Sequence, residues 1–258
     1  MSRLGTEPVT VRRDGPVFVL TIDHPPVNAI SRSVVAALGR GLTEAVEAPE
    51  CRALLLTAEG PTYFSAGADL NELAGEGEDL RSEGLQLIRS LEEAPLPIIA
   101  AINGIAYGGG CELALAADMR IASRSARFAQ PEINLGLVPG WGGSQRLPRL
   151  IGPSAALPML LTGEPVDAEA ALRCGLVSEV VEAAELPAAA GRLAARLAGK
   201  APLALAAMKR AVRHGLECPL EEGLAVEEGE LRSLLGTEDV AEGVMAFLEK
   251  RAPRWSGR

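Results

Sequence analysis

Hydrophobic and polar positions follow two different periods along this chain, and these periods predict its elements. Short apolar or alternating runs predict β-strands at residues 9–13, 17–22, 53–57, 98–102, 119–122 and 176–181. Apolar residues at helical spacing predict helices at 31–48, 80–91, 137–150, 153–161, 167–174, 186–198, 203–214, 220–235 and 238–250. Strands and helices alternate through the first two thirds, which indicates an α/β fold with a largely parallel sheet, and helices alone follow.

The segments between these elements are rich in glycine, proline and polar residues. Asp14 and Gly15 predict a tight turn between the first two strands, and residues 59–70 form a glycine-rich loop. Residues 71–78 are expected to be a loop as well. Residues 128–132 are expected to be extended, because the proline within them keeps its neighbour out of helical geometry.

The 258 residues have room for one large domain or for a domain with an appendage. Glycine and proline at 199–202 mark a soft boundary, so we predict a core of residues 1–199 and a helical region of residues 200–258. The last helices carry more apolar residues than a peripheral appendage should expose, which predicts self-association.

The net charge of −9 at pH 7 argues against nucleic acid as a partner, because binding a duplex requires clustered cations. The four cysteines lie far apart and the two histidines lack metal-site spacing, so we expect free, buried thiols and no metal. The cysteines are Cys51, Cys111, Cys174 and Cys218. We expect no signal peptide and no membrane span, which predicts a cytoplasmic protein.

The strongest candidate for chemistry follows the buried strand predicted at 98–102. Three consecutive glycines, Gly108 to Gly110, come just before Glu112 at the start of a predicted helix. Glycine lets a substrate approach the backbone, and the first amides of a helix have no intrahelical partner. Such donors beside a carboxylate suit a reaction that develops negative charge. The alternative is tight packing of a helix on a sheet, with Glu112 exposed.

Other glycine motifs are absent from the sequence. The dinucleotide fingerprint G-x-G-x-x-G fails, since its last position falls on Leu113 when it starts at Gly108 and on Gln145 when it starts at Gly140. The sequence has neither a P-loop nor a Gly-x-Ser-x-Gly elbow, and two histidines give little support to a Ser-His-Asp or Cys-His mechanism.

A pair of carboxylates is the chemistry that remains. Glu132 follows Glu112 after a predicted helix and a predicted strand, a path that returns the chain to the same end of a layer. Two carboxylates at one reacting centre allow one to act as base and the other as acid. The alternative is that both glutamates are solvated or salt-bridged.

At these residues the chain resembles the enoyl-CoA hydratase/isomerase (crotonase) superfamily, from Val9 to Arg251. Seven ordered motifs carry the resemblance: FSAGADL at 64–70, AAING at 100–104, GGGCELA at 108–114, FAQPE at 128–132, LVPG at 137–140, GGSQRL at 142–147 and LTG at 161–163. The resemblance implies a crotonase-like core, a superhelix of repeated ββα turns. It also implies an all-helical C-terminal region that builds homotrimers, often paired into hexamers.

The resemblance also implies roles for individual residues. The backbone amides of Ala68 and Gly109 would bind the thioester oxygen of an acyl-CoA substrate. Glu112 and Glu132 would hold and activate water for attack at C3, and Glu132 would supply the proton at C2. Gly140 would orient the water or Glu132 through its backbone. No metal or redox cofactor is implied, because coenzyme A enters as part of the substrate.

Contacts to the coenzyme A carrier follow from the same resemblance. Ala66, Asp69 and Leu70 would line the pantetheine path. Phe247 and Lys250 match positions that meet the nucleotide end, and Phe247 is expected near a neighbouring subunit's site. The alternative for Lys250 is an exposed lysine at a helix end.

Glutamate at both positions of the pair favours a 2-enoyl-CoA hydratase, because isomerases of the family typically keep only one. The alternatives are a 3-enoyl-CoA isomerase or a specialised acyl-CoA lyase with the same oxyanion hole. A non-catalytic, RNA-binding relative is a further alternative, against which the negative charge and the intact pair argue. The chain departs from the commonest pattern at Tyr107, Trp141 and residues 25–27, so the size of the acyl pocket stays open.

Overall fold

Strands and helices alternate in the computed structural model, which describes residues 7–258. The strands are β1 (Val9–Asp14), β2 (Val17–Ile22), β3 (Ala53–Ala58), β4 (Tyr63–Ser65), β5 (Ile98–Ile102), β6 (Ile105–Tyr107), β7 (Met119–Ser123), β8 (Arg127–Ala129), β9 (Val166–Asp167) and β10 (Glu179–Val181). The helices are α1 (Arg32–Glu47), α2 (Leu70–Glu93), α3 (Gly109–Ala116), α4 (Gly143–Ile151), α5 (Pro153–Thr162), α6 (Ala168–Arg173), α7 (Leu186–Ala198), α8 (Pro202–Gly215), α9 (Leu220–Leu234) and α10 (Glu238–Leu248). Short 3-10 helices span Pro131–Leu135 and Ala183–Glu185.

The strands form two sheets that the chain visits in turn. The larger has the order β1-β2-β3-β5-β7-β10 and is parallel except for the β1–β2 hairpin. The smaller has the order β4-β6-β8-β9 and is parallel except for β8–β9. The pairs β3–β4, β5–β6 and β7–β8 each give one strand to each sheet. The first two pairs lead into α2 and α3, so the expected repeated ββα turn is confirmed.

The central strands β2, β3 and β5 of the larger sheet are buried on both faces, which explains why they are almost continuously apolar, whereas the edge strand β1 is largely exposed. On β2, Phe18, Leu20 and Ile22 belong to the main core with α1, α2 and α3. The intervening Val17 and Val19 belong to a second apolar cluster, in which β3, β5 and α7 also take part. Alternate side chains of a strand point to opposite faces, so one run of sequence serves both layers.

Residues 71–78 are helical, so their prediction as a loop was wrong. Helix α2 begins at Leu70, and Asp69 caps it by accepting a hydrogen bond from the Asn71 amide at 2.9 Å. Residues 71–78 are mostly polar or glycine, so apolar residues at helical spacing become recognisable only from Leu80 onward. The N-cap, however, satisfies an amide that the helix itself leaves free.

The smaller sheet was not predicted as a sheet, because its strands are two or three residues long. Residues 128–132 are only partly extended: β8 ends at Ala129, and Glu132 lies in the 3-10 helix Pro131–Leu135. The chain therefore returns from Glu112 to Glu132 through two strands rather than one. The four cysteines were expected to be free and buried: all four are free, Cys51 and Cys111 are buried, and Cys174 and Cys218 are partly exposed. Within the described part of the chain, no helix combines the length and apolarity needed to cross a membrane.

Candidate active site

Glu112 is a carboxylate buried within the fold. It lies on α3, a helix of small apolar residues that is buried along its whole length, and only 2% of Glu112 is exposed. Its Oε1 accepts hydrogen bonds from the amides of Trp141, at 2.8 Å, and Gly143, at 2.7 Å. The structure thus rules out the exposed-glutamate alternative and replaces solvent with two backbone donors.

The turn before α4 provides these two amides. Gly142 is the N-cap of α4 with a φ of 98°, a conformation that favours glycine, and Gly143 is the first helical residue. The amide of Gly143 has no intrahelical partner and donates to Glu112 instead. The carboxylate therefore lies at a helix N-terminus, where backbone amides and the helix dipole favour negative charge.

Burial nevertheless dominates the ionisation of Glu112 and raises its pKa to about 7. The amides of Gly143 and Trp141 and the charge of Arg146 oppose this rise, whereas the nearby charge of Glu132 adds to it. Burial also raises the pKa of Glu132 above its usual value. Glu112 is therefore prepared to exchange a proton near neutral pH, and burial moves the pKa of Glu132 in the same direction.

Glu132 approaches Glu112 at Gly108. A Cβ atom at Gly108 would lie 2.9 Å from Oε1 of Glu132, so the glycine leaves room for that carboxylate. The amide of Glu112 donates to the carbonyl of Gly108 at 2.9 Å. Within residues 7–258, neither glutamate forms an ion pair, so the salt-bridged alternative is also ruled out. The structure brings the predicted pair together.

Gln130 supports Glu132 from inside the core. The side chain is 1% exposed, and its amide nitrogen, when turned toward Glu132, lies 3.2 Å from each carboxylate oxygen. Sequence reasoning placed Gln130 in a motif but gave it no role, since its contact depends on how β8 enters the 3-10 helix.

The two amides predicted to bind a thioester oxygen lie at one place. Gly109 is the first residue of α3, and a Cβ at Gly67 would lie 3.4 Å from its amide nitrogen. Around Ala68, the amide of Ile30 donates to Gly67 and the amide of Asp69 donates to Ile30. Neither the Ala68 amide nor the Gly109 amide donates to any residue in the described part of the chain. Both are therefore available to an oxyanion.

Two side chains that sequence reasoning missed hold the loop that carries Ala68. The buried Asn28 donates to the carbonyls of Glu59, at 3.1 Å, and Tyr63, at 2.9 Å. The buried Ser65 accepts a hydrogen bond from the amide of Gly67 at 3.1 Å. Asn and Ser are common in loops, so only the contacts identify these roles.

The predicted carrier residues divide into two groups. Ala66, Asp69 and Leu70 flank Ala68, where the Ala66 amide donates to Val27, Asp69 caps α2, and Leu70 is exposed. Phe247 and Lys250 lie at the end of α10. No hydrogen bond or ion pair of the described residues joins these two to the glutamates or the oxyanion amides.

Gly140 lies beside this site but does not contact Glu112 through its amide. It is exposed, and a Cβ there would lie 3.7 Å from Cγ of Arg81. The observed donors to Glu112 are Trp141 and Gly143, one and three residues further along. Orientation of water or Glu132 by Gly140 stays a prediction.

Known proteins resemble this chain over nearly all of its length. Residues 12–258 match the family model described as Enoyl-CoA hydratase/isomerase. Carnitinyl-CoA dehydratase from Salmonella typhi is 42% identical over 261 residues, which cover 98% of this chain and 100% of the relative. The crystal structure of an enoyl-CoA hydratase from Bacillus anthracis superposes with a TM-score of 0.94 at 36% identity, covering 97% of this chain and 100% of that one. Pseudomonas aeruginosa DspI superposes with a TM-score of 0.93 at 40% identity, covering 98% of both chains.

Proposed function

Because the chain belongs to the enoyl-CoA hydratase/isomerase (crotonase) family of enzymes, we propose that it is a 2-enoyl-CoA hydratase. It adds water across the 2,3 double bond of an enoyl-CoA thioester and gives the 3-hydroxyacyl-CoA. The observation that carries this proposal is the meeting of two glutamates with raised pKa values beside two free amides. Coenzyme A is part of the substrate, and water addition requires no redox cofactor.

Each group has one task in the proposed reaction. The amides of Ala68 and Gly109 donate to the thioester oxygen, which takes up charge as C3 is attacked. Ionised Glu112 accepts a proton from water while the water oxygen bonds to C3. Protonated Glu132 gives its proton to C2, and solvent returns a proton from Glu112 to Glu132 after product release. Removing a single donor of this kind costs about 3–4 kcal/mol in other enzymes.

Incubation with crotonyl-CoA tests the proposal directly. We expect the enoyl-thioester absorbance to fall as 3-hydroxybutyryl-CoA forms. The matched control is the Glu112→Gln, Glu132→Gln double variant, which keeps the shape of the site without either carboxylate. If the native protein leaves crotonyl-CoA and other 2-enoyl-CoA thioesters unchanged, the hydratase proposal is wrong.

The 42% identity to a carnitinyl-CoA dehydratase favours a second candidate, elimination of water from carnitinyl-CoA. The same site would serve it, because elimination is the reverse of addition. Comparing kcat/KM for carnitinyl-CoA and 3-hydroxybutyryl-CoA in the dehydration direction separates the two candidates.

The proposed mechanism predicts a bell-shaped dependence of kcat/KM on pH. It requires one proton shared between two carboxylates, and both pKa values are raised, that of Glu112 to about 7. At low pH both are protonated and no base remains, whereas at high pH both are ionised and no acid remains. The optimum therefore lies well above the ordinary carboxyl pKa of about 4. Crotonyl-CoA hydration measured from about pH 5 to 9 tests this, and a flat profile would contradict it.

We also propose that the protein assembles into a homotrimer or a dimer of trimers. The helices after the predicted boundary expose a broad apolar surface, including Phe247 at 84% exposure. Its members are Met208, Val212, Leu216, Leu220, Leu224, Leu231, Leu235, Val244, Met245, Phe247 and Leu248. We expect light scattering to give three or six times the 26.9 kDa chain mass. A single-chain mass at all micromolar concentrations would count against the assembly.

A further inference from the structure

A chain of charged side chains runs from α8 to the turn that holds Glu112. Arg146 on α4 pairs with Glu92 on α2 through two hydrogen bonds, at 2.6 and 2.5 Å. Glu92 also pairs with Arg213 on α8 at 3.1 Å. Arg213 continues to Asp118 at 3.0 Å, and Lys209 contacts the same carboxylate at 3.0 Å. All five side chains are less than a third exposed, so solvent screens these pairs only weakly.

The remaining nitrogen of Arg146 reaches the candidate site. Its Nη1 donates to the carbonyl of Trp141 at 2.7 Å, while the amide of Trp141 donates to Glu112. The guanidinium also lies against Gly142, where a side chain would collide with it. The backbone of Trp141 is thus bound at its carbonyl by Arg146 and at its amide by Glu112.

We propose that Arg146, fixed by Glu92, is a positioning residue that keeps the amides of Trp141 and Gly143 on the Glu112 carboxylate. This inference rests on the proposed role of Glu112 as a base. Arg146 itself contacts neither carboxylate of the pair. Without it the turn loses the anchor of the Trp141 peptide, and Glu112 loses two well-aligned donors and a nearby positive charge. All three changes favour the protonated form of Glu112.

The other charged groups around Glu112 stay in place when Arg146 is replaced. Glu132 faces it from the 3-10 helix, and its charge raises the pKa of Glu112. Burial raises the pKa of the Cys111 thiol on α3 and keeps that thiol neutral. Loss of Arg146 therefore moves the pH profile toward higher pH and lowers the fraction of ionised Glu112.

Arg146→Gln and Arg146→Lys test the proposal, with Arg210→Gln as the matched control. Arg210 forms a comparable two-point pair with Glu230, between α8 and α9. We expect Arg146→Gln to lower kcat for crotonyl-CoA about 10- to 100-fold with KM nearly unchanged, and to move the pH profile upward by about one unit. Arg146→Lys keeps the charge without the two-point geometry, so its kcat and pH profile should lie between those of the native protein and Arg146→Gln. Arg210→Gln should change neither kcat nor the pH profile.

A carbon-13 NMR titration of the Glu112 carboxyl provides a readout that does not need turnover. If the native protein hydrates no enoyl-CoA, the proposed function fails, while this titration still decides whether Arg146 tunes Glu112. If Arg146→Gln only lowers Tm, as Arg210→Gln does, and leaves both kcat and the Glu112 titration unchanged, Arg146 is merely structural. Glu92→Gln serves in place of any Arg146 variant that does not fold.

The indole ring of Trp141 gives a second, independent inference about the acyl group. The residue is 5% exposed, and its ring lies between α2 and the start of α3. A Cβ at Gly109 would lie 2.5 Å from the ring, and a Cβ at Gly84 would also collide with it. Neither glycine has a positive φ, and glycine within a helix costs about 1 kcal/mol relative to alanine. The absence of side chains at both positions is therefore explained by the space that the ring takes.

The same ring lies beside two groups of the proposed reaction. Its edge contacts Gly109, whose amide is a proposed oxyanion donor, and the Trp141 amide is bonded to Glu112. An acyl chain that extended from a thioester at Gly109 toward α2 would meet the indole. We infer that Trp141 closes the gap between α2 and α3 and restricts the enzyme to short acyl chains, an inference that rests on the proposed function.

Rates with crotonyl-CoA and 2-decenoyl-CoA test this restriction. We expect native kcat/KM to favour the short substrate at least about tenfold, since a single misfit in an apolar pocket has effects of that size. Trp141→Ala should reverse the preference for crotonyl-CoA over 2-decenoyl-CoA. The ratio of the two kcat/KM values for Trp141→Phe should lie between those of the native protein and Trp141→Ala. Equal native rates, or a ratio unchanged in both variants, would overturn the inference. If neither substrate is hydrated, calorimetry with butyryl-CoA and decanoyl-CoA still measures the size limit separately from the reaction.

Discussion

Replacement of Glu132 by glutamine is expected to lower kcat for hydration of crotonyl-CoA by about 10²- to 10⁴-fold. The amide has the shape of the carboxylate and fits beside Gly108, but it has no acidic proton to give to C2. The amides of Ala68 and Gly109 are unaffected, so substrate binding should survive with KM changed only a few-fold. Steady-state kinetics and calorimetric binding of butyryl-CoA measure the two effects separately.

Glu169→Gln is a suitable control for this variant. Glu169 lies on α6, far from the glutamate pair in sequence, and forms an exposed ion pair with Arg124. Exposed ion pairs contribute little stability. We expect this control to retain native turnover. Near-native hydration by Glu132→Gln would remove the proton donor from the mechanism and leave Glu112 as the only acid–base group.

The centre of the larger sheet could be predicted from sequence because β2, β3 and β5 are buried on both faces. Runs such as Ile98–Ile102 are apolar without interruption. The start of α1 is local chemistry as well, because Ser31 caps it and its hydroxyl accepts a hydrogen bond from the Val34 amide at 3.3 Å. Local chemistry sufficed for these elements, since their hydrogen bonds and burial follow from neighbouring residues.

The smaller sheet and the start of α2 could not be predicted, for the same physical reason. Strands such as β4 and β6 are three residues long and gain their stability from pairing with strands about 40 residues away. The first turns of α2 are polar and receive their order from a cap and from the packed helix that follows. Periodicity detects neither, because it registers burial only over longer windows.

Some parts of the candidate site could likewise be predicted from sequence and others could not. The glutamate pair and the glycines beside it were predicted, because residue type and chain path locate them. The donors to Glu112 were not, since contact of the Trp141 and Gly143 amides with its carboxylate depends on the register of one turn against α3. Anchoring of that turn by Arg146 and Glu92 joins residues 54 apart in sequence, which no local pattern encodes.

Replacement of Glu112 by glutamine is expected to separate water addition from proton exchange. Its side-chain oxygen can still accept the amides of Trp141 and Gly143, whereas alanine would leave two buried donors unpaired. The variant has no base to take a proton from water, so we expect hydration to fall by about 10²- to 10⁴-fold. Glu132 and the oxyanion amides remain, and they suffice for slow exchange of a proton at C2.

Mass spectrometry of butyryl-CoA incubated in deuterated water measures that exchange, with Glu132→Gln as the matched variant. We expect Glu112→Gln to exchange at C2 and Glu132→Gln to exchange far less. An isomerase would behave differently, because it needs one base to carry a proton between C2 and C4 and needs no positioned water. If the native protein converts 3-enoyl-CoA rapidly and scarcely hydrates 2-enoyl-CoA, the isomerase alternative holds. The two amides and the positioned turn around Glu112 would then serve to keep a buried carboxylate in place, and Glu132 would do the chemistry alone.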